Sequence, residues 1–300
     1  MSTLKATNLQ HGSAASPNIV LDSSGNATMA GSMAMATPFA MRNKIINGAM
    51  EIDQRNAGAS ITPTITGTYS VDRFNAILSQ ASKFSIQQNG GGVTPPTGFK
   101  NYLGMTSLSA YTVGASETFG LRQYIEGFNT AGLAWGTASA STVTLSFWVR
   151  SSLTGTFSGA ILNNAANRFY VYSYTINSAN TWEYKAITIP GDTSGTWETG
   201  NLTGVSVTWS IGTGSTFSGA AGSWGSTAYY GVTGGTSVVG TNGATFYLTG
   251  VQLEVGSVAT PFERRIYNQE LAMCQRYFET LGVYVSTSAW ATIVNSAAPK

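Results

Sequence analysis

The stretch Thr245–Arg265, TFYLTGVQLEVGSVATPFERR, joins a β-rich body to a helical segment, and its reading decides the fold. Phe246, Leu248 and Gly250 alternate with Tyr247, Thr249, Val251, Leu253 and Val255, the two-residue period of a strand with one face more apolar than the other. The pattern predicts a core strand ended by Gly256 and Ser257. Thr260-Pro261-Phe262-Glu263 then reads as a capping box with proline at the first helical position, which places a helix start near Pro261. Behind it, Tyr267, Leu271, Cys274 and Phe278 form a stripe on one helical face that must pack on another surface, with Gly282 as the expected stop.

Upstream of that strand the chain is a series of strand candidates: 44–53 (KIINGAMEID), 69–78, 83–88, 102–108, 120–126, 143–150, 169–176, 182–190 and 205–211. They are separated by turn-forming clusters such as Gly90-Gly91-Gly92 and Pro95-Pro96. Short strands with glycine-rich turns and no helices between them predict a mainly β chain, an antiparallel jelly-roll β-sandwich. In the clearest strand, Val143, Leu145, Phe147 and Val149 alternate with Thr144, Ser146, Trp148 and Arg150. Trp148 and Trp209 lie in strong strands and are expected in the core. The tract 212–243 reads as a long loop or loosely patterned strands, and long loops in compact domains are often functional. After the helix, Val283–Val285 is one more strand candidate and Trp290 a lone anchor.

The N-terminal residues have no pattern long enough for an independent core. Ile19-Val20-Leu21 and Ala27-Thr28-Met29 flank Asp22-Ser23-Ser24-Gly25, which predicts two short strands around a turn. An isolated hairpin is marginal in water, so this extended arm requires a partner. The expected organisation is an attachment or oligomerisation arm over 1–42, the sandwich over 43–258, and a single C-terminal helix with a short tail over 259–300.

Composition narrows the function. Charged residues make up 9% of the 300 and hydrophobic residues 42%, against about 25% charged in typical domains. Solubility therefore falls to Ser, Thr, Asn and Gly. A net charge of +2 with no run of Lys or Arg argues against nucleic acid. One cysteine, Cys274, permits no intrachain disulfide, and no apolar run is long enough for a signal peptide or a membrane span. Work outside a cell would then need another exit, such as assembly into a virus particle released by lysis.

Catalytic constellations are not found. The lone His11 lies in the arm, which leaves no His-based triad or His-rich metal site within one chain. Asp53, Asp72, Glu117, Glu126, Glu183, Asp192 and Glu198 are scattered, and no spacing singles out a glycosidase pair. Aromatic residues are the better lead, because sugars present apolar C–H faces that stack on flat rings. Trp197, Trp224, Tyr229 and Tyr230 lie in or beside glycine-rich loop sequence and are the candidate carbohydrate contacts. Ile19, Val20 and Leu21 in the arm, with Tyr267, Leu271, Cys274 and Phe278 on the helix, are the candidate assembly residues.

Several segments resemble tail-fibre proteins of bacteriophages and prophages, particularly those of cyanophages. They are Thr3-Leu4-Lys5 with Ile19-Val20-Leu21-Asp22, Asn43-Lys44-Ile45-Ile46-Asn47-Gly48-Ala49-Met50 with Asp53-Gln54-Arg55, and Tyr69-Ser70-Val71-Asp72-Arg73-Phe74. The resemblance continues through Gly250-Val251-Gln252-Leu253-Glu254-Val255-Gly256 and Cys274-Gln275-Arg276-Tyr277-Phe278. The body is also similar to carbohydrate-binding jelly rolls at Leu145–Arg150, Asn180–Tyr184 and Phe246–Val251. The resemblance implies a virion tail fibre, a homotrimer, attachment to tail or baseplate proteins through the arm, and binding of host surface polysaccharide. The alternatives are a connector that carries other fibres and a glycan depolymerase. Such modules often hold a structural calcium. Glu51 matches one of its positions, but Thr249-Gly250 stands where an acidic pair is expected, so no cofactor is assigned. Family members often continue past the helix, which shifts recognition onto the jelly roll or another protein.

Overall fold

The computed structural model describes residues 8–9, 19–21, 23, 27–29 and 41–280. The chain divides into two units, Met1–Phe39 and Ala40–Lys300. In the first, β1 (Asn8–Leu9), β2 (Ile19–Leu21) and β3 (Ala27–Met29) make a three-stranded sheet in that order. β2 and β3 pair antiparallel with Ile19 opposite Met29, as the hairpin reading expects, and β1 adds a strand that the sequence pattern was too short to show. Val20 and Leu21 are exposed within this unit. His11, Val283–Val285, Trp290 and the Gly282 helix stop lie outside the described residues.

The second unit is an antiparallel jelly-roll sandwich. Its strands are β4 (Phe74–Leu78), β5 (Phe84–Gln88), β6 (Leu103–Ser107), β7 (Thr118–Glu126), β8 (Val143–Ser151), β9 (Gly155–Leu162), β10 (Phe169–Ile176), β11 (Glu183–Ile189) and β12 (Thr203–Thr213). The glycine-rich tract contributes only β13 (Ser218–Gly219), β14 (Trp224–Gly225) and β15 (Gly231–Val232), before the long β16 (Thr245–Val255). One sheet has six strands in the order β14-β10-β9-β12-β7-β4 and the other five in the order β11-β8-β16-β6-β5. Neighbours in both sheets run antiparallel, whereas the small β13–β15 pair is parallel. Between the sheets, Phe147 meets Tyr174 and Trp209 at ring-centroid distances of 5.1 and 6.0 Å, and Phe157 meets Phe246 at 6.0 Å. All five rings are buried. Their apolar area supplies the main drive for closing the sandwich.

The sequence pattern missed β9, because Gly155, Gly159 and Ala160 dilute its alternation. Gly159 is required there. A Cβ at this position would lie 1.9 Å from the Thr208 carbonyl oxygen on β12 and 2.5 Å from the Tyr172 hydroxyl, which donates to that same carbonyl.

Three expectations need correction. The segment 44–53 is a set of turns, not a strand, with Asn47 and Met50 in the left-handed region at φ 60° and 57°. Ile45, Ile46, Met50 and Ile52 are all buried, so their placement follows no two-residue period. The Asn47 side chain holds the turn: its Nδ2 donates to the Ile52 and Asp72 carbonyls at 2.8 and 2.9 Å, and its Oδ1 accepts from the Ile52 N–H at 2.9 Å. Asn tolerates left-handed backbone and bonds locally, and here that chemistry outweighs the strand propensity of the isoleucines. Similarly, the 69–78 candidate becomes a strand only from Phe74, because Arg73 sits at φ 74°.

The third correction concerns the helix, which begins not at Pro261 but as α2, Tyr267–Gln275; a single turn, α1 (Gly127–Thr130), was not foreseen. Both members of the expected capping box are engaged elsewhere. The Thr260 hydroxyl and N–H donate to the two Glu254 carboxylate oxygens at 2.6 and 2.8 Å. The Glu263 carboxylate accepts from the Arg42 and Asn43 N–H groups at 3.1 and 2.8 Å. Within the stripe, Tyr267 is 57% exposed. The packed face is instead Glu270 and Cys274, with Leu271 and Tyr277 half-buried, and Cys274 sits against Ile46 and Ile52. Burial pushes the Cys274 thiol well above its ordinary value, so it stays a protonated packing group. Arg276 closes the joint by a two-pronged pair onto Glu126 at 2.6 and 3.0 Å, and the Tyr277 hydroxyl adds a bond to Glu126 at 2.9 Å.

Two outcomes test this account. Asn47→Ala removes three buried hydrogen bonds and places alanine in a left-handed turn, so a loss of about 2–4 kcal/mol is expected from the urea midpoint. The Arg276 hydrogen bond holds the Glu126 carboxyl below the usual carboxylate range, with burial opposing and Tyr277 assisting. A lowered folded-state pKa stabilises above the unfolded-state value and loses that contribution as pH falls through the folded-state value. The melting-temperature gap between wild type and Glu126→Gln should therefore be widest near neutrality and close in acid.

Candidate functional site

The site is set by strict alternation on β8. Phe147 and Val149 point into the core and are fully buried, so Trp148 between them points out of the five-stranded sheet and is half-buried. The expectation of a core position for Trp148 is thus overturned, while Trp209 is fully buried as expected. The signal was present in the sequence, because one face of β8 holds four aliphatic or aromatic residues and the other holds Thr144, Ser146, Trp148 and Arg150. Register places Trp148 opposite Tyr184 of β11 on one side and Thr249 of β16 on the other. The Trp148 and Tyr184 rings lie 5.5 Å apart at 54°, and Tyr184 is 44% exposed.

Beside this pair, β16 breaks its register between Thr249 and Gln252, and Gly250 takes φ +61°. A Cβ on Gly250 would stand 2.6 Å from the Phe99 ring and 3.1 Å from Trp148. The glycine therefore lets two rings close over the bulge from opposite sides. The segment carrying Phe99 is tied to β16 two residues further on, where the Thr249 hydroxyl donates to the Asn101 carbonyl at 2.7 Å, and the Phe99 ring lies against the bulge. It meets Phe262 edge to face at 5.1 Å. The segment carrying Phe262 is fixed by the Thr260–Glu254 bonds and by the Glu263 N–H donating to Gln252 Oε1 at 2.8 Å.

The result is an open groove of about 530 Å³ on the outer side of the five-stranded sheet. Its rings are Phe99, Trp148, Tyr184 and Phe262, its polar groups include Ser146, Thr260 and the Arg264 guanidinium, and among the described residues no Asp or Glu lines it. Ligand sites characteristically join apolar walls with a few convergent polar groups at such volumes. Flat rings with one cation suit a ligand having both an apolar face and polar edges.

The loop aromatics singled out in the sequence lie at the other sheet. Trp224 on β14 pairs with Tyr170 at the sheet edge. Trp197 packs at 5.5 Å from Trp224, and both meet the buried Trp135, at 4.7 and 5.3 Å. The indole N–H of Trp224 donates to the Pro190 carbonyl at 2.7 Å, and that of Trp197 to the Ser194 carbonyl at 3.2 Å. Tyr230 fits between Phe169 and Phe217 at 5.5 and 5.9 Å, and burial raises its phenol pKa. Tyr229 lies over Gly219, where a Cβ would be 2.3 Å from the ring. All four are half-buried. The structure thus joins Trp197 and Trp224 in one cluster, while Tyr229 and Tyr230 pack separately. Among the described residues, no three His, Cys, Asp or Glu side chains converge as a metal site, and no helix is long and apolar enough to cross a membrane.

No protein-family model matches the chain, and no curated protein matches it. Solved structures with a similar chain course include the enzymatically active domain of tailspike protein 4 from bacteriophage CBA120, at 10% identity and a TM-score of 0.38 over 72% of this chain. The chain spans 22% of the length of that tailspike domain. The carbohydrate-binding module TmCBM61, in complex with β-1,4-galactotriose, is 10% identical with a TM-score of 0.35, covering 72% of this chain and 99% of its own. The family 11 carbohydrate-binding module of a Clostridium thermocellum cellulase is 15% identical with a TM-score of 0.34, covering 68% and 99%. At such identities and scores no function transfers.

The Gly250 geometry predicts that Gly250→Ala forces the Phe99 and Trp148 rings apart and strains the bulge. A loss of about 1–2 kcal/mol in the urea midpoint is expected, with a changed tryptophan emission maximum; an unchanged spectrum would contradict the close approach.

Proposed function

We propose that the protein is a phage tail-fibre or related tail-appendage protein whose sandwich binds a surface polysaccharide without cleaving it. The observation that carries the binding reading is the groove itself: four partly exposed rings, Trp148 and Tyr184 on strands and Phe99 and Phe262 on the irregular segments beside them, with no carboxylate among its described lining residues. Glycoside hydrolysis in its usual form needs two carboxyl groups flanking the scissile bond, so the groove favours binding over cleavage. The resemblance of the sequence to tail-fibre proteins supplies the setting, a virion rather than a cell wall or a cellulosome. The arm is the proposed attachment and trimerisation element, a reading supported by Val20 and Leu21, which expose apolar side chains on an open three-stranded sheet. Tail or baseplate proteins are its proposed partners.

Two surfaces compete for the glycan. The groove is favoured, because its rings pair only with one another and line an open cavity, whereas Trp197 and Trp224 also pack on the buried Trp135 and give their indole N–H groups to backbone carbonyls. The Trp197–Trp224 edge, with Tyr229 and Tyr230, is the second candidate.

The test is binding of the purified full chain to a panel of immobilised polysaccharides. Trp148→Ala should weaken binding tenfold or more, about 1.4 kcal/mol, with little change in melting temperature. Trp224→Ala should leave affinity nearly unchanged and instead cost about 3 kcal/mol of stability as the Trp135 cluster loses a ring. The opposite pattern would move the site to the loop aromatics. A folded oligomer that binds none of the panel would favour a connector that only carries other fibres.

A further inference from the structure

We infer that the groove takes an anionic saccharide, with the sugar's apolar face on Trp148 and its acid group on the Arg264 guanidinium. This rests on the groove being the glycan site.

Among the described residues, Arg264 is the sole ionisable cation lining the groove, and no acid lines it. Its guanidinium carbon stands 4.7 Å from the Phe99 centroid and 5.6 Å from that of Phe262. Stacking on ring faces fixes the plane of a guanidinium while leaving its N–H edge free, the geometry that receives a carboxylate or acid ester by two parallel bonds. Gly98, at φ +87°, makes room for it, since a Cβ there would lie 3.2 Å from Arg264 Nη2.

Its neighbour shows the contrast. Arg265 is consumed by the fold, donating to the Ile45 and Asn43 carbonyls and pairing with Glu263 and Glu270. Arg264 makes no salt bridge or hydrogen bond among the described residues and is exposed. Two of the nearby carboxylates are already engaged. Glu254 is saturated by Thr260 and Gln252, and Glu263 by Arg42, Asn43 and Arg265. Glu51 and Glu270 line a separate cavity that Arg264 also borders; Glu270 pairs with Arg265, and Glu51 forms no ion pair with Arg264. A cation held over rings, in a groove with no acid among its described lining residues and with no ion pair of its own among them, has its charge available to a ligand.

The experiment measures affinity of the full chain for three oligosaccharide classes: neutral gluco- and galacto-oligosaccharides, oligogalacturonates with their carboxyl-reduced counterparts, and sulfated dextran oligosaccharides. Wild type and the Arg264→Gln and Trp148→Ala variants are compared. Wild type should prefer an anionic class, and that preference should fall as salt rises. Arg264→Gln should lose about tenfold for the preferred anionic ligand and less than about twofold for neutral ones. Carboxyl reduction should reproduce the loss if the acid is a carboxylate, whereas preference for the sulfated class would identify an acid ester. Trp148→Ala should weaken every class. Neutral binding that depends on Trp148 and not on Arg264 would overturn this inference and leave the glycan reading intact. Binding to none of the three classes would overturn both. Arg264 is exposed, so its variant should fold, and an unchanged melting temperature would verify it.

Discussion

The bulge in β16 between Thr249 and Gln252 is the constraint on which the rest of the second unit depends. A regular strand would pair with β8 along its whole length and leave no backbone group free for the segment 43–53. The bulge turns Val251 so that its N–H donates to the Gly48 carbonyl at 2.9 Å, while its own carbonyl accepts from Asn43 Nδ2 at 3.0 Å. Gly48 is needed on the other side, because a Cβ there would sit 2.1 Å from that carbonyl oxygen. On the outer face, the same irregularity creates the position at which only glycine lets Phe99 and Trp148 approach. One departure from regular pairing thus serves both the closure of the sandwich and the shape of the groove.

Around the bulge, polar side chains do work that helices and strands do elsewhere. Asn43, Asn47, Gln252, Glu254, Glu263 and Glu270 satisfy backbone donors and acceptors of irregular segments, as buried polar groups must. Asn43 Oδ1 accepts from both the Ile45 and Leu253 N–H groups at 2.9 and 3.0 Å, and Gln123 clasps Ile46 through both its N–H and its carbonyl. A chain with so few charged residues places several of its acids in these roles, and among the described residues the groove is lined by one arginine and no carboxylate.

Much of the sandwich was legible in the sequence because strand periodicity reports the side of a sheet directly. β8, β10, β11, β12 and β16 all appear where alternation or dense apolar residues predicted them. The failures share a cause. At 44–53, Arg73 and Thr260–Glu263, local propensity was overruled by partners distant in sequence: Asp72 for Asn47, Tyr124 for Arg73, Asn43 for Glu263. Trp148 was misplaced for a different reason, since large aromatic character was weighed above its position on the polar face of its own strand. The groove as a whole was not legible, because Phe99, Trp148, Tyr184, Gly250 and Arg264 come from five separate segments.

By itself, the sequence determined that this chain is mainly β, that its strands run antiparallel between glycine-rich turns, and that few of its side chains carry charge. These are properties of composition and short-range period, set by residues within a few positions of one another. Which aromatics face outward together, which arginine is left free, and whether a capping sequence starts a helix were decided only by tertiary structure. Each turns on a contact between segments tens to hundreds of residues apart, and no local pattern encodes the geometry of such a meeting.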